Sequence, residues 1–263
     1  MTDRYAVIGH PISHSKSPHI HKLFAEQTGE DISYVAIEEP LDGFAETVKR
    51  LRLEGYKGCN VTVPFKFEAF ELAERRSERA QTAQAVNTLK FDRDIFGDNT
   101  DGAGLVRDIE KNLGKNLEGK RVLLMGAGGA SYGVALPLLQ THCMLTVANR
   151  TVEKAIRLAS AFQGVQASNY ADLAGRQFDV IINATSSGLT DDLPPLPQGV
   201  FADGALAYDM MYGKETPFMS LARANGATVA DGLGMLIEQA AEAFYIWRGV
   251  RPDTRPVIET LRS

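Results

Sequence analysis

The sequence predicts an α/β fold built as two domains, each around a mostly parallel sheet. Two observations support this prediction. Short β-rich runs alternate with segments of helical periodicity along the chain, an order typical of βαβ units. Near the middle, the polar stretch GKNLEGK is followed by a buried strand and a glycine-rich turn, where a second series of such units begins.

The first series occupies residues 1–101. It opens with the strand YAVIG, and β-rich runs then alternate with segments that are apolar at helical spacing. Two β-rich runs at its end, separated by Asp92 to Asp94, predict a hairpin. The predicted elements are strand 5–9, helix 17–27, strand 33–38, helix 44–53, strand 58–63, helix 64–74 and the hairpin of 86–91 with 95–97.

The second series occupies residues 102–232, and its order predicts a parallel, doubly wound sheet of the Rossmann type. The predicted elements are helix 102–112, strand 121–126, helix 130–139, strand 144–150, helix 152–162 and strands 179–185, 205–211 and 228–230. An apolar helix at 233–247 follows the last strand. We therefore expect the C-terminal residues 233–263 to return to the first domain and complete it.

Composition narrows the classes of function. The 263 residues carry a net charge of −5 without a basic stripe, so a nucleic-acid partner is not expected. No run reaches the roughly 18 to 20 apolar residues that cross a bilayer, and the start lacks the apolar middle of a signal peptide. We expect a cytoplasmic protein with no membrane partner. The two cysteines lack metal-type spacing and the histidines fit no zinc pattern, so no metal site is predicted.

The segment RVLLMGAGGASYGVA predicts a dinucleotide site. Gly126, Gly128 and Gly129 stand where a buried strand passes into a helix, so backbone N–H groups and the positive end of the helix can face a pyrophosphate. Ser131 takes the place of the third glycine in the GxGxxG pattern, and its small side chain still permits close packing. A purely structural glycine turn is the alternative interpretation.

The end of the next strand, ANRTVEK, indicates which dinucleotide is bound. An NAD enzyme presents Asp or Glu to the ribose about 20 residues after the turn, whereas Asn149, Arg150 and Thr151 stand here. The Arg150 guanidinium can pair with a 2′-phosphate that a carboxylate would repel, and Lys154 adds charge one turn later. NADP is therefore favoured. Alternatively, Arg150 is a solvated strand-end residue and Thr151 a helix N-cap.

The segment GHPISHSKSPHIH suggests a place for a polar substrate. Its Ser15 and Ser17 can face a hydroxylated or carboxylated ligand. Ser17 followed by Pro18 is also typical of a helix N-cap with proline as the first helical residue. Both interpretations of Ser17 stay open on the sequence alone.

Two further residues suggest acid–base chemistry, and a third suggests a specific polar contact. In NVTVPFK, Lys66 is predicted in the first turn of a helix, where the macrodipole disfavours a cation and favours proton exchange with a substrate hydroxyl. In GDNTDG, Asp101 lies between the domains as a partner for Lys66. The alternatives are a surface lysine and a helix-capping aspartate. Asn87 is predicted within a strand, where asparagine is depleted, so its amide is expected to have a specific partner.

The chain resembles the shikimate/quinate dehydrogenase family. GHPISHSKSPHIH, NVTVPFK, AVNTL, DNTDG, GAGGA, NRT, NATSSG, YDMMY and DGLGMLIEQAA occur in that family's order, almost from end to end. The resemblance implies a substrate domain and an NADP-binding domain with a cleft between them. It also implies the reversible NADPH-linked reduction of 3-dehydroshikimate to shikimate, a step of chorismate and aromatic amino acid biosynthesis.

The resemblance implies the roles of individual residues. Lys66 and Asp101 are the catalytic pair: Lys66 handles the proton at the C3 oxygen, and Asp101 orients Lys66 and holds the substrate hydroxyl. Ser15 and Ser17 bind the substrate carboxylate. The other substrate positions are Thr62, Asn87, Tyr212 and Gln239. The cofactor positions are Glu78, Gly126, Ala127, Gly128, Gly129, Ala130, Asn149, Arg150, Thr151, Lys154, Met210 and Gly232.

Two competing interpretations remain. A broader quinate/shikimate dehydrogenase would accept quinate and often NAD. The Asn149-Arg150-Thr151 turn and the pair Ser15 and Ser17 argue against this interpretation. A non-catalytic NADP-binding sensor would keep the fold without turnover, against which stand Lys66 and Asp101. The family often has arginine where Lys154 stands, and arginine alone makes a bidentate phosphate contact. We expect a monomer or a homodimer.

Overall fold

A computed structural model describes residues 2–185 and 195–262 of the protein. The chain divides into two compact units: unit 1 is Met1–Gly104 with Leu236–Ser263, and unit 2 is Leu105–Met235. Each division lies three residues beyond the expected one, at 104 rather than 101 and at 235 rather than 232. Both units combine helices with a six-stranded sheet, so the predicted α/β fold class is confirmed.

The helices and strands alternate along most of the chain. In chain order they are β1 (Asp3–Gly9), α1 (Ser17–Thr28), β2 (Ile32–Glu38), α2 (Phe44–Leu53), β3 (Gly58–Val61), α3 (Lys66–Leu72), β4 (Arg75–Arg76), α4 (Glu78–Ala83), β5 (Thr88–Phe91), β6 (Ile95–Asp98), α5 (Asp101–Arg107), a π-helix (Asp108–Asn112), β7 (Arg121–Met125), α6 (Gly129–Gln140), β8 (Met144–Ala148), α7 (Val152–Ala161), β9 (Gln166–Ser168), a 3-10 helix (Ala171–Leu173), β10 (Phe178–Asn183), β11 (Phe201–Asp209), α8 (Pro217–Ala224), β12 (Thr228–Ala230), α9 (Leu233–Arg248) and α10 (Arg255–Arg262).

The sheet of unit 1 has the strand order β2-β1-β3-β5-β6-β4. The pairs β1 with β2, β1 with β3 and β4 with β6 are parallel, whereas β5 is antiparallel to both β3 and β6. The sheet is therefore mostly parallel, with β5 as its one reversed strand among the described residues. The reversed direction of β5 determines at which end of the sheet the residues before and after this strand lie.

Helix α9 packs into unit 1 through its aromatic side chains. Trp247 stacks on Tyr5 with ring centroids 4.6 Å apart, and its indole N–H donates to the Leu89 carbonyl at 3.0 Å. Arg248 forms ion pairs with Asp3 and Glu30. These contacts join the last part of unit 1 to its first strand, so the unit is built from two distant stretches of sequence.

The sheet of unit 2 has the order β12-β11-β10-β7-β8-β9, and every pair is parallel. The order reverses beside β7, as in a doubly wound sheet. Its inner strands are apolar and buried, which is expected of parallel strands covered on both faces. The predicted Rossmann-type order is thus present in this unit.

Several local predictions were wrong. Helix α3 begins at Lys66 rather than at Pro64, and β5 begins at Thr88, so Asn87 precedes the strand instead of lying in it. The strands β4 and β9 and the helices α4 and α8 were not predicted. The strands β4 (Arg-Arg) and β9 (Gln-Ala-Ser) are too short and polar to show a period of two. Helix α8 did carry a signal, because Thr216 caps it and Pro217 follows.

Among residues 2–185 and 195–262, no helix is long and apolar enough to cross a bilayer. Within the same ranges, no group of three or more His, Cys, Asp or Glu side chains is placed to hold a metal ion. Cys59 and Cys143 are buried free thiols, and burial raises the pKa of both. A raised pKa keeps a thiol protonated and unreactive.

Candidate active site

The topology of unit 1 gathers the predicted substrate residues at one edge of its sheet. Because β1 and β3 are parallel, the segments that follow Gly9 and Val61 leave from the same edge. Because β5 is antiparallel to β3, Asn87 at its start lies at that edge as well. The strand β6 reverses direction again, so the chain after Asp98 leads from this edge to Asp101.

Lys66 and Asp101, the predicted catalytic pair, are in direct contact. The Lys66 Nζ donates to Asp101 Oδ2 at 2.5 Å. The two side chains are 28% and 14% exposed, so the pair is shielded but reachable by a ligand. Lys66 is the first residue of α3 and Asp101 the first of α5. The positive end of the α5 macrodipole stabilises the Asp101 carboxylate. The negative charge of that carboxylate in turn offsets the repulsion between the Lys66 ammonium and the positive end of α3.

The predicted partner of the Asn87 amide is found. Its Nδ2 donates to Asp101 Oδ1 at 2.8 Å and to Gln239 Oε1 at 3.3 Å. Gln239 lies on α9 and is half-buried. Four of the predicted substrate residues, Lys66, Asn87, Asp101 and Gln239, therefore form one hydrogen-bonded group that offers both donors and acceptors.

Two threonines missed by the sequence analysis hold this group in place. The Thr100 N–H donates to Asn87 Oδ1 at 2.9 Å, and the Thr88 hydroxyl donates to the same oxygen at 3.0 Å. Both threonines are fully buried. They stand inside the motifs AVNTL and DNTDG, directly beside predicted site residues, but no spacing rule marks a neighbouring threonine as a support.

Ser15 and Ser17 lie close together before and at the start of α1. The Ser17 N–H donates to Ser15 Oγ at 3.3 Å. Lys16 precedes the helix and Ser17 is its first residue, so the interpretation of Ser17 as an N-cap is wrong. Thr62 follows β3 and is half-buried. Tyr212, the remaining predicted substrate position, belongs to unit 2, where burial raises the pKa of its phenol.

The glycine-rich turn of unit 2 has the geometry that a dinucleotide cradle needs. Gly126 has φ of +100°, and a Cβ there would lie 3.2 Å from the Ala184 carbonyl oxygen. Ser131 is buried and donates to the Gly126 carbonyl at 2.9 Å, which closes the turn in place of a third glycine. Gly128 precedes α6, whose first turn carries no side-chain cap and no acid, and a Cβ there would meet nothing within 4 Å. An anion therefore has room at this helix start.

The end of β8 presents exposed polar and basic side chains. Arg150, Thr151 and Lys154 are exposed, and Asn149 is half-buried with its Nδ2 on the Thr151 carbonyl at 2.9 Å. Thr151 is the N-cap residue of α7 but its side chain makes no capping hydrogen bond. Positions 149–151 contain no carboxylate, so the described residues fit a ribose that carries a 2′-phosphate.

Met210 and Gly232, two further predicted cofactor positions, are brought together. A Cβ on Gly232 would lie 2.2 Å from the Met210 carbonyl oxygen, so only glycine fits. Asp209, which the sequence analysis missed, is buried and accepts from the Met211 N–H at 2.9 Å. Glu78 is the first residue of α4 and exposed, within unit 1. Part of the NATSSG motif, residues 186–188, lies outside the described residues.

Three family models match the chain in succession. Residues 7–89 match the shikimate dehydrogenase substrate binding domain, residues 108–190 match shikimate / quinate 5-dehydrogenase, and residues 232–262 match the shikimate 5'-dehydrogenase C-terminal domain. The chain belongs to the shikimate dehydrogenase family. The predicted resemblance is therefore confirmed, and the matched regions cover both units.

Individual members of the shikimate dehydrogenase family are similar over their whole length. The shikimate dehydrogenase (NADP(+)) of Methylobacillus flagellatus is 60% identical, with 99% of each chain covered. An Ael1 enzyme from Pseudomonas putida has a solved structure that matches with a TM-score of 0.94 at 54% identity, covering 99% of this chain and 98% of that one. The shikimate 5-dehydrogenase of Thermus thermophilus, solved with NADP(H) and shikimate, matches with a TM-score of 0.89 at 35% identity and 99% coverage of both chains.

Proposed function

We propose that this protein is an NADP-dependent oxidoreductase that catalyses the reversible reduction of 3-dehydroshikimate to shikimate, a step of chorismate and aromatic amino acid biosynthesis. The observation that carries this proposal is the 2.5 Å contact of Lys66 with Asp101 at the edge of the unit 1 sheet. It stands in a chain that is 60% identical to a shikimate dehydrogenase (NADP(+)). A proton donor for an alcohol-forming reduction is thus present with its supporting carboxylate.

NADPH, when bound, supplies the hydride that reduces the substrate carbonyl carbon. Lys66 donates the proton that the carbonyl oxygen needs to become a hydroxyl, and in the reverse direction it accepts that proton. Asp101 holds the ammonium through Oδ2 while its Oδ1 is bound by Asn87, so the carboxylate is fixed from both sides. Such fixed geometry at the reacting hydroxyl lowers the reorganisation that proton transfer requires.

The remaining substrate positions supply polar contacts of distinct kinds. Ser15 and Ser17 offer hydroxyl groups to the substrate carboxylate, and Thr62, Asn87 and Gln239 offer contacts to its ring hydroxyls. Tyr212 offers a phenol that its raised pKa keeps protonated. Residues 1–101 with 233–263 thus form the substrate domain in this proposal.

Residues 102–232 form the NADP domain in the same proposal. The pyrophosphate meets the turn of Gly126, Ala127, Gly128, Gly129 and Ala130, where α6 starts without a cap. Asn149, Arg150, Thr151 and Lys154 hold the 2′-phosphate. Met210, Gly232 and Glu78 complete the cofactor positions.

The deciding experiment offers the purified protein shikimate or quinate, each with NADP or NAD, and follows absorbance of the reduced nicotinamide. We expect reduction largely confined to shikimate with NADP. Comparable rates with quinate or with NAD would indicate the broader quinate/shikimate enzyme, whose name the middle family model also carries. Absence of turnover in all four mixtures would favour a non-catalytic NADP sensor.

The cytoplasmic location and the monomer or homodimer state stay predictions from the sequence. Sedimentation velocity of the purified protein over a range of concentrations would determine the oligomeric state. A mass near 28.7 kDa at every concentration would identify a monomer, and twice that mass a homodimer.

A further inference from the structure

Behind the Lys66–Asp101 pair, a series of buried polar side chains continues into unit 1. The Tyr34 hydroxyl donates to Asn60 Oδ1 at 2.7 Å, and Asn60 Nδ2 donates to Thr88 Oγ1 at 3.0 Å. The Thr88 hydroxyl donates to Asn87 Oδ1 at 3.0 Å, and Asn87 Nδ2 donates to Asp101 Oδ1 at 2.8 Å. The five residues therefore form one continuous hydrogen-bond chain, here called the amide relay.

Backbone groups force the direction of each bond in the amide relay. Asn60 Nδ2 also donates to the Asn87 backbone carbonyl at 3.2 Å, and a carbonyl can only accept. The oxygen of Asn60 must then face Tyr34, which has to donate. Burial raises the pKa of the Tyr34 phenol well above its usual range, so its proton is retained.

The second half of the relay is fixed in the same way. The Thr88 hydroxyl accepts a hydrogen bond from Asn60 and donates its single proton in a hydrogen bond to Asn87 Oδ1. The Thr100 backbone N–H also donates to this oxygen at 2.9 Å. An N–H cannot donate to the NH₂ group of an amide, so the oxygen of the Asn87 side chain must lie on this side. The Asn87 amide therefore has one orientation, with its N–H groups toward Asp101 and Gln239.

We propose that Tyr34 and Thr88 are positioning residues for the reaction, which act through the amide relay by fixing the Asn87 amide and thereby the Asp101 carboxylate that holds Lys66. This inference rests on the proposed function, because it assigns the two residues to the same catalytic pair. Neither side chain needs to touch the substrate. A buried network in which every donor has an acceptor specifies one arrangement, and removing one member weakens the hold on its neighbours.

The test is Thr88→Val, which keeps the shape of the side chain and removes its hydroxyl. We expect kcat for shikimate oxidation to fall about fivefold, because Asn87 Oδ1 loses the hydrogen bond that Thr88 donates, while the KM for NADP stays within about twofold. Thr88→Ser restores the hydroxyl and should recover most of kcat. Tyr34→Phe removes the first donor and should lower kcat about twofold.

The matched control is Thr47→Val, because Thr47 is buried in the same unit and donates instead to Glu39 at 2.6 Å. Thr47 also accepts from Arg50 Nη2 at 3.4 Å, so Thr47→Val, like Thr88→Val, loses two hydrogen bonds, but both lie outside the relay. Its free energy of unfolding in urea should fall by a similar amount, while its kcat should be unchanged. A merely structural role of Thr88 would make the two valine variants behave alike. That result would overturn the proposal.

A double-mutant cycle tests the route of the effect. In an Asn87→Ala background, the relay is already broken, so Thr88→Val should cause no further loss of kcat. An equal fivefold loss in both backgrounds would show that Thr88 does not act through Asn87, and would overturn the proposal.

A readout without turnover separates this inference from the proposed function. The side-chain amide of Asn87, identified in the NMR spectrum by its absence in Asn87→Ala, should shift and exchange faster in Thr88→Val but not in Thr47→Val. Unchanged Asn87 signals would overturn the relay even if the enzyme oxidises shikimate. A wild-type protein that does not oxidise shikimate would refute the proposed function, while the NMR comparison would still decide whether the relay orients Asn87.

Discussion

In unit 1 the candidate site is made of side chains that hold one another, whereas in unit 2 it is made of backbone and of side chains exposed at a strand end. Lys66, Asp101 and Asn87 are partly or fully buried and hydrogen-bonded together. Arg150 and Lys154 are exposed. The difference suggests that changes in unit 1 affect the rate of the chemical step, while changes in unit 2 affect the affinity for NADP.

The largest expected effect is that of Lys66→Ala. Removal of the proton donor should lower kcat for shikimate oxidation by about 10² to 10⁴-fold and raise the KM for shikimate much less. Steady-state kinetics at saturating NADP measure both constants. Lys49→Ala is the matched control, because Lys49 is exposed and paired with Glu46 on α2, and it should keep wild-type kinetics. A raised KM with unchanged kcat would instead assign Lys66 to binding.

Arg150→Ala should lower the affinity for NADP by about 10 to 100-fold, because a charge-assisted pair with the 2′-phosphate is lost. The KM for NAD, which lacks that phosphate, should not change. Arg157→Ala is the control, since Arg157 is also an exposed arginine of unit 2 and lies on α7. Unchanged NADP affinity in Arg150→Ala would remove Arg150 from the phosphate site.

Gly128→Ala distinguishes a ligand cradle from a structural turn. The added Cβ meets nothing within 4 Å of protein, so the midpoint of thermal unfolding should change little. It would occupy space at the helix start, so we expect NADP affinity to fall about tenfold, which titration calorimetry measures. An unchanged affinity would show that the pyrophosphate does not approach Gly128, and the KM for shikimate serves as the internal control.

The smallest expected effect concerns pH and the buried imidazole of His21 in unit 1. His21 is fully buried and stacks on Tyr34 with ring centroids 4.1 Å apart, and burial lowers its pKa to about 3. The unfolded chain binds this proton near pH 6.5 and the folded chain does not, so the free energy of unfolding falls as pH drops below about 6.5. Between pH 7.5 and 5.5 the loss should be about 1 kcal/mol.

Urea unfolding of His21→Phe at both pH values checks this. The variant keeps an aromatic ring but cannot take a proton, so its loss between the two pH values should be about 1 kcal/mol smaller than that of the wild type. His19→Gln on the same helix, at a position that solvent reaches, should keep the wild-type difference. Equal pH dependence in wild type and His21→Phe would contradict the buried, uncharged state of His21.

The sequence predicted most of what local patterns can encode. The order of strands and helices, the glycine turn at Gly126 and the place of Lys66 in a first helical turn all depend on residues close together in the chain. Thr88 and Asn60 could not be predicted as supports of Asn87, because their roles come from the pairing of β3 with β5. Asp209 was also not predicted, because its hydrogen bonds with Asn183 and Thr216 form only in the folded unit 2.

The short elements were missed for a different physical reason. A strand such as β4, with two arginines, owes its existence to its neighbour β6 rather than to its own residues. The boundaries of α3 depend on a single turn after β3, which periodicity does not resolve to a residue. In both cases, contacts with other elements determine the local structure more strongly than the preferences of the residues themselves.

The split of unit 1 between two ends of the chain sets an order of events during translation. Unit 2 is continuous from Leu105 to Met235, so all of it has been synthesised before the residues that complete unit 1 emerge from the ribosome. Gln239 and Trp247 are synthesised after unit 2, although they contact Asn87 and Leu89, which were synthesised before it. Because domains fold as units during synthesis, the nascent chain has a finished second unit while its first still waits for the closing helix.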